Sequence, residues 1–228
     1  VLDRSGQVVE RQFGLVRDQL GAERATLVRR YYDELASTGA EYRLPIMEIA
    51  FPALKQRPAE ELSYLVSLAT RIIEVDGEID LYEYCFYRIL VGNLRQSMQP
   101  LARRKRTSDR RRSVREAAVE LLRVVAHSGH EDSRIRQRAF EAGVTTFGKW
   151  GSRYAFDPGF SVSIPALDKS LETLLALNGD GKRMLLEAIT AAVMFDTMLS
   201  VRETELIRAI CASLDCPLPP IITEELAH

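Results

Sequence analysis

The sequence contains no apolar run near the roughly 18 residues that a membrane-crossing helix needs. Val1-Leu2-Asp3-Arg4 is neither an initiator Met nor a basic-then-apolar signal, and such a start reads as a segment of a longer protein. Cysteine is scarce. Cys85, Cys211 and Cys216 form an odd set, which excludes a closed disulfide framework and suits reduced thiols filling apolar space in a cytoplasmic compartment. An excess of one charge is missing as well, since the formal net charge is −1, and with it any global reason to expect nucleic acid as partner. His-Glu-x-x-His, a Gly-Lys phosphate loop and Gly-x-Ser-x-Gly are all absent, so the sequence predicts no catalytic residue and no cofactor of its own.

What remains is an ordinary globular composition, 46% apolar and 28% charged over 228 residues, enough to bury a core. Apolar residues recur at helical spacing along nearly the whole chain, with no convincing alternating stretch. Val8, Phe13, Val16 and Leu20 predict a first helix. Leu27, Val28, Tyr31, Tyr32 and Leu35 predict the apolar face of a second. Pro45 suits the first turn of a third, carrying Ile46, Ile49, Ala50 and Leu54. Pro58 opens a fourth, with Leu62, Leu65, Leu68, Ile72 and Ile73, and a fifth runs from about Leu81 to Leu90. Further helices are expected over Val114–Ala126, Ile135–Phe147, Pro165–Leu177, Lys182–Phe195 and Val201–Leu214, with Asn178-Gly179-Asp180-Gly181 as a turn. The class is all-α, with about nine to ten helices.

A shift of 120 residues lays 44–90 on 164–210 without a gap, with seven identities in 47 positions. Both segments have a Pro near the start, a break at the same place and one shared local pattern, which predicts a duplicated three-helix unit. The expected organisation is an N-terminal helical segment 1–43, a first repeat 44–91, a basic connector 92–113, linking helices and loop 114–163, a second repeat 164–215 and a tail 216–228. In the shared pattern Asp80 or Ser200 is a good N-cap and Glu83 or Glu203 stands three residues on. This is a capping box, preceded by Asp76 or Asp196 at the end of the previous helix. The six residues Asp76, Asp80, Glu83, Asp196, Ser200 and Glu203 thus read as structural corners. The competing reading is a cation site at the first corner, where Asp76, Glu78, Asp80 and Glu83 place four carboxylates in eight residues. The spacing is not that of a twelve-residue calcium loop.

Two other clusters carry chemistry. His127-Ser128-Gly129-His130-Glu131-Asp132 has metal-ligand residue types, but Ser128-Gly129 reads as a helix end and no further ligand set is evident. Arg103, Arg104, Lys105, Arg106, Arg110, Arg111 and Arg112 form a basic run that suits an anionic surface or a solvated connector. It lacks the interleaved aromatics of a single-strand binder.

The segments Leu44-Pro45-Ile46-Met47-Glu48-Ile49-Ala50-Phe51-Pro52-Ala53-Leu54-Lys55-Gln56 and Ile73-Glu74-Val75-Asp76-Gly77-Glu78-Ile79-Asp80-Leu81-Tyr82-Glu83-Tyr84 resemble the C-terminal extension of bacterial HtpX-like membrane zinc metallopeptidases. Leu206–Pro220 resembles the end of that extension. The Asp-Gly…Glu corner is similar to TerB-like helical domains of tellurite-resistance proteins. The resemblance covers most of 40–220. It implies TerB-like repeats and a non-catalytic interaction or regulatory domain on the cytoplasmic side of a bacterial inner membrane, with protein partners or self-association. Zinc and its ligands would lie only upstream, in the parent protein. The alternatives are a TerB-like stress module that binds a divalent cation or an anionic surface, and a helical adaptor with no protease attached.

Overall fold

The computed structural model describes residues 6–38, 42–75, 77, 81–98, 112–130, 132–196 and 200–219. Among them are ten α-helices and two short 3-10 segments, with no β-strand, so the fold is all-α. No described helix is long and apolar enough to cross a membrane. The chain divides into two compact units, Val1–Ala102 and Arg103–His228.

The first unit holds α1 (Gly6–Leu20), α2 (Ala22–Ala36), α3 (Arg43–Leu54), α4 (Ala59–Ile73) and α5 (Leu81–Met98). Helix α1 buries Val9, Phe13 and Val16 against α2 and α4, around a core that includes Ala25, Leu68 and Ile72. It also buries Gln12, whose Nε2 donates to the Ile72 carbonyl at 3.2 Å. That bond adds a side-chain donor to a carbonyl in the last turn of α4 that also accepts from Val75 N at 3.4 Å.

Two apolar faces expected from periodicity are not the faces that pack. On α2 the core side is Ala25 with half-buried Val28 and Tyr32, and Leu27, Tyr31 and Leu35 stand exposed. That side of α2 meets α1 through Tyr32, edge-on to Phe13 at 5.4 Å, and through Arg29, whose guanidinium lies over the Phe13 ring at 4.4 Å and pairs with Glu10 at 2.7 Å. On α3, Phe51 is buried while Ile46, Ile49 and Ala50 are exposed. Helix α5 also runs to Met98, two turns beyond the expected end at Leu90. Leu94, fully buried, extends its apolar contact, and Asn93 is absorbed by donating to the Ile89 carbonyl at 3.0 Å.

The second unit is built around α6 (Arg112–Gly129), which packs on α7 (Ser133–Thr146), α8 (Ile164–Leu175), α9 (Gly179–Val193) and α10 (Val201–Leu214). Leu121, Leu122, Phe140, Leu167, Leu171, Leu174, Leu185, Ile189, Leu206 and Ile207 form its fully buried core. Helices α7 and α9 approach closely at Gly143, where an added Cβ would lie 3.0 Å from both the Ala188 carbonyl oxygen and Leu122 Cδ2. The segment Asn178-Gly179-Asp180-Gly181 is a helix start rather than a turn. Asn178 Oδ1 accepts from Gly181 N at 2.8 Å, and this cap offsets the weak helix propensity of two glycines in the first turn.

Helices α4 and α9, and likewise α5 and α10, begin 120 residues apart. In each triple the third helix packs on the first two: α5 on α3 and α4, α10 on α8 and α9.

Candidate functional site

The corner between α9 and α10 is built from its shortest-range contacts outward. The chain leaves α9 through a 3-10 turn, Met194–Asp196, and re-enters helix at Val201. Ser200 is the N-cap, in extended backbone (φ −79°, ψ 156°), and its Oγ accepts from Glu203 N at 3.2 Å. Glu203 Oε2 accepts in return from Ser200 N at 2.8 Å and from Ser200 Oγ at 2.7 Å. The box is closed in both directions, and the carboxylate sits at the electropositive start of α10.

Glu203 is only 2% exposed, so its second oxygen needs an account. Oε1 is buried and accepts no hydrogen bond. It faces the end of α6, where an added Cβ on Gly129 would lie only 2.3 Å away. Only a residue without a side chain admits the carboxylate there. His130 Nε2 stands 3.9 Å from Oε1, and His130 Nδ1 stands 3.3 Å from Asp196 Oδ2. The buried imidazole therefore lies between two carboxylates, one opposite each ring nitrogen, and links the end of α6 to both sides of the corner.

This geometry limits the chemistry of the cluster. A metal ion needs donors converging on a single point, whereas Asp196 and Glu203 meet opposite edges of the ring. Both ring nitrogens face carboxylates and the His130 side chain is 5% exposed, which leaves no open nitrogen for a substrate. The arrangement acts as a tether. Arg136 Nε donates to the His130 carbonyl, and Asp132 caps α7 by accepting from Arg134 N at 2.7 Å and Ile135 N at 3.2 Å, so the segment after α6 is held from both ends.

His127 belongs to a different environment. Its Nδ1 lies 2.9 Å from the Arg123 carbonyl, a contact that requires the proton on Nδ1. Its ring stacks on Phe156 at 5.1 Å and meets Phe160 at 4.9 Å. Nε2 is buried and makes no hydrogen bond. The two histidines of the 127–132 cluster are thus directed to different neighbours. Among the described residues no group of three or more His, Cys, Asp or Glu is placed to hold a metal.

Asp76, Glu78 and Asp80 lie outside the described residues, and Glu83 is buried in the first turn of α5. Arg103, Arg104, Lys105, Arg106, Arg110 and Arg111 also lie outside the described residues. Arg112 opens α6 and pairs with Glu116 at 2.7 Å on an exposed face. Burial pushes the Cys211 thiol up to about 12, helped by neighbouring Cys216, whose own thiol is raised by burial. Neither is a ready nucleophile at neutral pH.

Sequence reasoning flagged the His127–Asp132 cluster and the Asp196–Glu203 corner separately and missed that His130 joins them. The helix end read at Ser128-Gly129 is where α6 stops, but the sequence did not show that Gly129 also admits the Glu203 carboxylate. No family model matches the chain, and neither do curated proteins or solved structures.

Proposed function

We propose that the chain is a non-catalytic interaction and regulatory domain, the cytoplasmic C-terminal part of a membrane-anchored, HtpX-like zinc metallopeptidase whose metal site lies upstream. The two helical triples at a 120-residue shift would be TerB-like repeats. The parentage rests on the resemblance at Leu44–Gln56 and Ile73–Tyr84. The interaction role is supported by one observation in that first segment: α3 is rich in apolar residues, yet Ile49 is 79% exposed and Ile46 stands exposed on the same helix. An exposed apolar stretch of this kind suits a protein surface rather than water. The closed corner at Ser200 and Glu203 supports a structural part for the acidic pattern in the second repeat.

Two measurements test the reading. The reading frame upstream of Val1 should encode apolar spans and His-Glu-x-x-His; a frame with neither favours a helical adaptor. In the full-length parent, Ile49→Asp should slow cleavage of a folded protein substrate and leave cleavage of a short peptide unchanged. Equal rates for both variants on both substrates would count against a role for α3. A divalent-cation module would instead show saturable Ca²⁺ or Mg²⁺ binding that Asp76→Asn abolishes.

A further inference from the structure

We infer that α2 is a self-association surface, on which a second copy of this chain packs antiparallel about a two-fold axis through Tyr31. This goes beyond the α3 reading and stands whether or not a peptidase precedes the chain. Leu27, Tyr31 and Leu35 are 43%, 49% and 43% exposed, and their four-residue spacing places them within about 40° of one line along the helix. They border the half-buried Val28 and Tyr32. The apolar surface of α2 is thus wider than the part α1 covers, and its uncovered edge is a continuous stripe of large side chains.

The pattern of the stripe selects the occupant. Leucine lies four residues to either side of Tyr31, so rotation about Tyr31 sets Leu27 of one copy against Leu35 of the other. One flank carries a charge pair, Arg30 and Glu34, joined at 3.5 Å and both well exposed. In the antiparallel arrangement that flank faces its own copy. At about 1.5 Å of rise per residue, Arg30 lies about 3 Å along the axis from the other copy's Glu34, and Glu34 the same from the other Arg30. Each in-helix pair joins a four-charge ring of alternating sign. In a parallel pairing the two Arg30–Glu34 flanks would lie on opposite sides of the interface, out of reach of each other. The charged flank meets its own copy, and so is self-complementary, only in the antiparallel two-fold pairing.

One helix stripe from each copy is a small interface, so the dimer should be reversible, with a Kd on the order of 10 µM to 1 mM. Sedimentation equilibrium of the whole chain across that range should show a monomer–dimer equilibrium. Tyr31→Glu should weaken it about tenfold or more at unchanged helical content. Arg30→Glu and Glu34→Arg should each be monomeric alone. Mixed in equal amounts they should form a one-to-one heterodimer, because the all-acidic flank of the first then meets the all-basic flank of the second. This mixing arm separates a contact between copies from the pair within each helix, and it needs no variant in the apolar stripe. A monomeric wild type throughout, an open-ended oligomer series, an unchanged Kd in Tyr31→Glu, or no heterodimer on mixing would each overturn the proposal.

Discussion

Gly129→Ala should destabilise the wild-type protein and do nothing, or slightly help, once Glu203 has been replaced by Ala. In the wild type the new Cβ would stand 2.3 Å from Glu203 Oε1, about 1 Å inside contact distance. The carboxylate cannot swing aside freely, because its other oxygen is held by Ser200 N and Ser200 Oγ. Either the box opens, at about 0.5–2 kcal/mol for a lost cap, or α6 shifts, at about 1–3 kcal/mol for overpacking. Offsetting this is at most about 1 kcal/mol of helix propensity gained by Gly→Ala. A net loss of about 1–2 kcal/mol is expected from these two ranges. Glu203→Ala alone should cost about 0.5–2 kcal/mol. In the double variant the clash has no second party, so the added methyl enters vacated space and the coupling should be about 1–3 kcal/mol. Trp150 is the chain's single tryptophan and lies in the Arg103–His228 unit, so its fluorescence in a urea titration follows the unfolding of that unit. Effects that add to within about 0.5 kcal/mol would refute the contact on which the corner is built.

Other expectations use the same readout. Asn178→Ala removes the cap of a helix that opens Gly-Asp-Gly and should lower stability by about 1 kcal/mol; an unchanged urea midpoint would contradict the helix start assigned there. Gly143→Leu forces the α7–α9 approach apart and should cost about 1–3 kcal/mol or more, whereas a neutral result would mean the helices do not meet at this point. For Cys211, burial raises the folded thiol to about 12 from an ordinary value near 9, so between those values the unfolded chain loses a proton that the folded one keeps. Stability should fall as pH rises through that window, by up to about 1.4 kcal/mol per pH unit, and Cys211→Ala should flatten the fall; a slope unchanged in the variant would remove the thiol from the account.

The helices were legible in the sequence because their signals are local. Period, Pro near a start and a cap three residues before Glu act within one or two turns, and ten helices follow from them. Which side of a helix is covered was not legible. Leu27, Val28, Tyr31, Tyr32 and Leu35 span almost half the circumference of α2. Contacts distant in sequence decide it: Tyr32 and Arg29 meet Phe13, and Val28 packs against the cluster of Val16, Ala25, Leu68 and Ile72. The extension of α5 was hidden for a related reason. Gly92 and Asn93 look like breakers until Leu94 finds a buried site beyond them.

The corner divides in the same way. Ser200 and Glu203 are three residues apart, and their reciprocal bonds follow from that spacing. His130 stands 66 residues before Asp196 and 73 before Glu203, and no pattern in the chain encodes that meeting. The 120-residue shift sharpens the point. It matches Asp76 and Glu83 to Asp196 and Glu203, but the position 120 before His130 is Glu10, which pairs with Arg29 on α2. A carboxylate there cannot bridge two further carboxylates as an imidazole does. The two corners share a spacing in the sequence, and among the described residues it is the second whose box and distant partner are seen.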